Sequence, residues 1–223
     1  AIETLRRKKF DLVITMPLVD DTDAYVLGRT IRQSFPDLPV FLLIHKTGQH
    51  LLDHKAVDRA SIDRVYVWQG NIDLLLALIK NLEDRMNVAF DTDRAKVRVI
   101  IMVEDSPVHY SSLLPILYKE IVTQTQAAME ESVNDEHRIF RMRARPKILV
   151  AETYEEALDL YRRYQPYLLG VLSDVRFPRN GVMDENAGFT LLSMIRAENP
   201  DLPLLNLSSE ETNRINAGQI PAV

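Results

Sequence analysis

Glu104, Asp105, Asp174 and Ser208 are the residues of this 223-residue chain with the most chemistry to offer. Each directly follows an apolar run: Glu104 and Asp105 follow 97–103, Asp174 follows 168–173, and Ser208 follows 204–207. Alone, an Asp at the end of such a run reads as a turn or helix cap, and a Glu-Asp pair reads as solvated. Together they suggest one site, because ligands of a doubly wound sheet bind beyond the carboxyl ends of its strands. Carboxylates packed together repel, and protonation or a cation must neutralise them. Oxygen donors without Cys or His select a hard cation, Mg²⁺ in a cell. A metal held by a few carboxylates keeps positions for phosphate oxygens. An Asp oxygen can then attack phosphorus and form an acyl phosphate, with the metal and a hydroxyl stabilising the transferring oxygens.

An internal repeat supplies the elements that must position these groups. IRQSFPDLPVFLLI (31–44) matches IRAENPDLPLLNLS (195–208), and AIETLRRKKFDLVIT (1–15) parallels ALDLYRRYQPYLLGVLS (157–173). Each copy reads as helix, buried strand, loop, helix, turn, buried strand. The strands, such as 12–15, 40–44, 100–103 and 168–172, are almost continuous apolar runs, the pattern of parallel strands covered on both faces. The fold class expected is α/β, with two doubly wound parallel-sheet domains, the first lacking its opening strand and helix. A helix over 72–87 would close the first domain, 1–90. The polar stretch 90–96 would lead into the second domain, 96–223. Both termini read as cuts within a longer chain.

IIMVEDSP (100–107), SDVRFPRNG (173–181) and LPLLNLSS (202–209) resemble the three motif blocks of response-regulator receiver domains of two-component systems. The resemblance spans about 97–217 and implies a flavodoxin-like fold. It makes Asp174 the phosphoacceptor, Glu104 and Asp105 the acidic pair that holds Mg²⁺, and Arg176 the donor of a backbone carbonyl to the metal. Ser208 takes the place of the hydroxyl that bonds the phosphoryl group, and Phe177-Pro178 stands where the family usually has Met-Pro. By the same resemblance, a sensor histidine kinase or phosphotransfer protein donates the phosphoryl group. The family's Lys, at the end of a fifth strand, lies beyond Val223, and both the 106–146 connection and the 181–188 loop are longer than usual. The tandem arrangement is also similar to the N-terminal regulatory region that precedes phosphoenolpyruvate synthase-like or pyruvate phosphate dikinase-like domains in bacterial proteins. That likeness implies a phosphotransferase parent; these residues alone would do no more than phosphorylate and dephosphorylate themselves.

In the first copy the chemistry is lost. Met16 stands at the position of Asp174, Ile44 at that of Ser208, and Trp68 at that of the Lys. Met16 and Trp68 are expected to fill the emptied site or meet a partner. Asp20, Asp21 and Asp23 read as solvated or capping residues. A helix over 111–131 is longer than a receiver needs; its extension is either solvated or a homodimer or interdomain contact, with Pro115 in its first turn or kinking it. The basic run 137–147 reads as solvated, or as docking to an acidic partner. His45, His50, His54, His109 and His137 show no metal-ligand spacing.

The remaining composition is permissive. A net charge of −5 gives no case for nucleic acid as a partner. The absence of cysteine excludes disulfides and thiolate chemistry and suits a cytoplasmic location. No apolar run reaches membrane-spanning length, and no Gly-rich phosphate loop is present. Three readings stay open: a phosphorylation switch, a structural tandem module that binds a partner without turnover, and the regulatory part of a phosphotransfer enzyme.

Overall fold

The computed structural model describes residues 1–19, 22–46, 58, 60–130 and 145–207. The chain divides into two compact units, Ala1–Leu74 and Leu75–Val223. Each is mixed α/β, built on a parallel sheet.

The first unit runs α1 (Ile2–Arg7), β1 (Val13–Thr15), β2 (Leu18–Val19), β3 (Thr22–Asp23), α2 (Ala24–Ser34), β4 (Val40–His45) and β5 (Arg64–Trp68). Its sheet has the order β1-β4-β5, parallel throughout, and β2–β3 is a small antiparallel pair. Helix α2 begins where the Asp23 carboxylate accepts a hydrogen bond from Tyr25 N at 2.7 Å, an N-cap. Ala24, Gly28 and Ile31, spaced to one helical face, are its buried residues. A Cβ on Gly28 would stand 2.3 Å from the Ser61 carbonyl oxygen, so only glycine lets the helix lie this close.

The second unit begins within α3 (Asp73–Ala95). It continues with β6 (Val99–Val103), α4 (Pro107–Glu130), β7 (Lys147–Ala151), α5 (Tyr154–Tyr164), a short 3₁₀ turn (Gln165–Tyr167) and β8 (Leu168–Asp174). After them come β9 (Phe177–Arg179), β10 (Val182–Asp184), α6 (Ala187–Glu198) and β11 (Leu204–Leu207). Its sheet has the order β11-β8-β6-β7, again parallel. Val99, Ile101, Val103, Leu149 and Ala151 share a core with Tyr161 of α5 and Leu191 of α6. The alternate residues Met102, Ile148 and Val150 are buried too, so the sheet is covered on both faces.

Two boundaries differ from the sequence reading. Helix α3 continues to Ala95, through the stretch 90–96 read as a polar lead-in. Lys96 ends it in the left-handed region at φ 53°, and Val97 N donates back to the Asp91 carbonyl at 3.4 Å. Apart from its first two residues the helix falls within the second unit instead of closing the first. Helix α4 starts at Pro107, so Pro115 sits in its interior and not in its first turn.

A buried polar network explains where α3 belongs. The Asp84 carboxylate accepts from Arg145 Nη2 at 2.6 Å, Arg145 Nη1 at 3.1 Å, Tyr118 Oη at 2.9 Å and Ile148 N at 2.9 Å. Lys147 Nζ lies 3.6 Å from Asp84 and 2.7 Å from Asp91. Asn81 donates to the Ile148 carbonyl at 3.1 Å. These bonds tie α3 to α4 and β7. The last residues of the basic run are therefore internal: Arg145 and Lys147 pair with the chain's own helix instead of being solvated or serving an outside partner. Residues 137–144 lie outside the described residues. Burial pushes the Tyr118 hydroxyl's pKa up, and the neighbouring Asp84 charge adds to this.

The repeat survives bond by bond. Val13 N donates to the Pro39 carbonyl and Val171 N to the Pro203 carbonyl. The Thr15 hydroxyl donates to the Met16 carbonyl at 3.2 Å, and the Ser173 hydroxyl to the Asp174 carbonyl at 2.8 Å. Ala24 N reaches the Pro17 carbonyl as Gly188 N reaches that of Val175. These bonds recur at equivalent places, with Met16 in the place of Asp174, although the connection from strand to helix is longer in the second copy, 175–188 against 17–24.

No helix among the described residues is long and apolar enough to cross a membrane. Asp84→Ala should lower stability in urea denaturation by roughly 3–5 kcal/mol, because it strands buried cations. Glu83→Ala, next to it in a half-exposed pair with Lys80, should cost less than about 1 kcal/mol.

Candidate functional site

The site forms where three strands end. Glu104 and Asp105 are the first residues after β6, and Asp174 is the last residue of β8. The register pairs Val103 with Ser173, which sets these acids side by side. Glu104 N donates to the Ala151 carbonyl at 2.9 Å, fastening the end of β6 to β7. Ser106 N then donates to Glu104 Oε1 at 3.1 Å, and Pro107 opens α4. One carboxylate oxygen each of Glu104, Asp105 and Asp174 lies within 4.8 Å of the others.

Glu104 is buried, whereas Asp105 and Asp174 are half-buried. Burial pushes the Glu104 carboxyl up to about 8; the Ser106 N–H opposes this, and the charges of Asp174 and Asp105 add to it. Burial also raises Asp105, reinforced by Asp174 and Glu152 and opposed by Arg176. Mg²⁺ takes oxygen ligands at about 2.0–2.1 Å in an octahedron. Three oxygens at this spacing therefore need only small side-chain adjustments to share one ion, and the all-carboxylate donor set fits a hard cation.

The surrounding backbone holds Asp174 still. The Ser173 hydroxyl bonds its carbonyl. A Cβ on Gly188 would stand 2.0 Å from the same carbonyl oxygen, so glycine allows α6 to begin directly against the acid. Val175 and Phe177 are buried on either side of Arg176, fixing the loop. The segment read as a long loop, 181–188, is instead half of a hairpin: β9 and β10 pair with Val182 opposite Arg179. Asn180 (φ 52°) and Gly181 (φ 75°) make the two-residue turn, where Asn-Gly suits the two successive positive φ angles of a type I′ turn. Asn180 N donates to Glu155 Oε1 at 2.9 Å, and the Arg179 guanidinium lies 4.5 Å from the centre of the Tyr154 ring. Both contacts dock the hairpin on α5.

Of the residues singled out from sequence, Glu104, Asp105 and Asp174 come together. Arg176 lies in the loop just after Asp174, its side chain directed to Glu185 at 3.6 Å. Ser208 and the residues after it lie outside the described residues, as do Asp20 and Asp21. Two neighbours escaped the sequence reading. Glu152, buried at the end of β7, acts on Asp105 electrostatically; its place directly after an apolar run was the available signal. His109, on the first turns of α4, puts Nδ1 3.5 Å from Glu104 Oε1; no motif spacing marks it.

Among the described residues of the first unit, the corresponding strand ends carry no such cluster. Met16 is exposed rather than filling the vacated place, Ile44 is buried in the core, and Trp68 ends β5 half-buried. Asp23 caps α2, as its position suggested. No protein-family model matches this chain, and no curated protein sequence matches it.

Without divalent cation, folded Glu104 keeps its proton to about pH 8, whereas in the unfolded chain it ionises near 4.5. The folded state binds the extra proton within that window, so stability should fall as pH rises through it. In melting curves without divalent cation, Glu104→Gln should flatten the decline. Mg²⁺ should raise the wild-type Tm most at the alkaline end, where the carboxylate is ionised. An undiminished slope in Glu104→Gln would assign the titration to another group.

Proposed function

We propose that the second unit is a receiver module that accepts a phosphoryl group on Asp174 with Mg²⁺ held by Glu104, Asp105 and Asp174. The observation that carries this reading is the convergence of three carboxylates at the ends of adjacent parallel strands. Strand order supports it. A flavodoxin-like sheet runs 2-1-3-4-5, and β7-β6-β8-β11 reproduces the first four places, while β1-β4-β5 of the first unit reproduces the last three. The first unit is then a receiver-like scaffold whose phosphoacceptor is replaced by Met16.

The transfer is an in-line displacement at phosphorus. An Asp174 oxygen forms the new P–O bond while the bond from phosphorus to the donor, a phosphohistidine nitrogen of a sensor kinase or phosphotransfer protein, breaks. That nitrogen keeps the electron pair. Mg²⁺ supplies charge neutralisation of the transferring oxygens and of the carboxylates around them. The chain's own contribution is positional. The Ser173 bond and the close approach of α6 at Gly188 hold Asp174. Ionised Glu104 and Asp105 hold the metal, and Arg176 offers a backbone carbonyl. Ser208 contributes the hydroxyl that couples the phosphorylated strand end to its neighbour. The alternatives are a tandem module that binds a partner without turnover, and the regulatory part of a phosphoenolpyruvate synthase-like phosphotransferase.

Incubation with acetyl phosphate and Mg²⁺ should add one phosphoryl group, mapped by mass spectrometry to Asp174 and absent in Asp174→Asn, with the circular dichroism spectrum unchanged. Beryllofluoride with Mg²⁺ should bind the second unit only. No labelling under either condition would favour a tandem module that works by partner binding alone. Labelling in the first unit would overturn the assignment.

A further inference from the structure

Two opposite charges face each other at the base of the β9–β10 hairpin. Phe177 pairs with Asp184 there, and Arg176 and Glu185 stand one residue further out on each side. Their side chains meet at 3.6 Å and are 57% and 71% exposed. The same two residues flank Asp174. Arg176 follows the acid by two positions, between the buried Val175 and Phe177, and is turned outward. Just after Glu185, Gly188 N donates to the Val175 carbonyl at 2.9 Å, which ties the two ends of the hairpin segment together beside the acid. The Arg176 charge is felt at the cluster. Burial drives the Asp105 carboxyl up, and the guanidinium opposes that rise.

We propose that the Arg176 side chain receives the phosphoryl group carried by Asp174, and that Glu185 holds the guanidinium in waiting until that group arrives. This rests on the reading of Asp174 as phosphoacceptor. Reach permits it, because a step of two residues separates Cα atoms by at most about 7 Å and the long Arg stem covers that span. Charge favours it. An exposed ion pair contributes little, since water screens it and both side chains must be ordered. A phosphoryl group adds about two negative charges and three strong acceptor oxygens, which a planar guanidinium meets with two parallel N–H donors. Arg176 thus exchanges a weak partner for a stronger one. It also relieves the entry of an anionic phosphodonor into a site lined by Glu104, Asp105, Glu152 and Asp174. While the Asp174 oxygen bonds to phosphorus and the donor leaves with its electron pair, the guanidinium stays charged and moves no proton; it acts by charge and hydrogen bonding alone.

Acetyl phosphate labelling and the binding of beryllofluoride, which stands in for the phosphoryl group, test this at saturating Mg²⁺. Arg176→Ala should slow labelling of Asp174 and weaken beryllofluoride binding by about tenfold each, and Arg176→Lys should recover part of the loss. The Tm should stay unchanged, because the pair is exposed, and Mg²⁺ affinity should not fall, because the backbone carbonyl remains. Glu185→Gln should raise both the labelling rate and the beryllofluoride affinity severalfold. In the Arg176→Ala background it should do neither, since the carboxylate then has no guanidinium to withhold. Equal labelling and equal beryllofluoride affinity in wild type and Arg176→Ala, or a Glu185→Gln gain that persists without Arg176, would overturn the role of Arg176 and leave Asp174 as phosphoacceptor. A wild type that neither labels nor binds beryllofluoride would overturn the phosphoacceptor reading, and the role of Arg176 with it.

Discussion

The acidic end of the second sheet depends on one pairing, that of β6 with β8. Neighbouring strands lie about 4.8 Å apart, so residues just beyond their ends come to lie within carboxylate reach of one another. With Val103 beside Ser173, those residues are Glu104, Asp105 and Asp174. The spacing of the strand ends is set by backbone hydrogen bonds, so the backbone cannot move apart to relieve their repulsion. Burial of Glu104 raises the demand further, because a charge in a poorly hydrated place is costly. The fold thus holds a set of groups that requires either a proton or a cation, and the two alternatives have opposite dependence on pH.

A second constraint lies on the far side of the sheet. Asp84 is enclosed by two nitrogens of Arg145, the Tyr118 hydroxyl and a backbone N–H of β7. A buried carboxylate of this kind offers little net stability over an apolar substitute, yet it is strict about geometry, since any loss of partner leaves a charge stranded. It fixes the rotation of α3 about its axis. That rotation decides which residues of the helix face outward.

The two units show how far a frame can be separated from its chemistry. Equivalent hydroxyl-to-carbonyl bonds, proline carbonyl contacts and helix ends recur in both, and each carries a small antiparallel pair after the critical strand. These features need only backbone groups and a Thr or Ser. The end of β1 can therefore carry Met16 where β8 carries Asp174 without disturbing the frame. At this place the scaffold does not depend on a charge.

The sequence by itself determined the α/β class, the parallel strands, the repeat and the three acids, because all of these are written in local patterns: apolar runs, Pro-Asp-Leu-Pro turns and the residue that follows each strand. The tertiary structure alone decided the rest. Amphipathicity shows that α3 must bury a face, but not against what, and only the buried partners of Asp84 assign it to the second unit. Arg145 and Lys147 read as part of a solvated charge run, because a charge pattern does not reveal a carboxylate sixty residues away. The 181–188 segment read as loop, although Asn180-Gly181 held the turn signal. Glu152 and His109 reach the acidic cluster from other elements, and their roles arise from distance and burial. Those quantities exist only once non-local strands have paired, which is why one-dimensional spacing could not supply them.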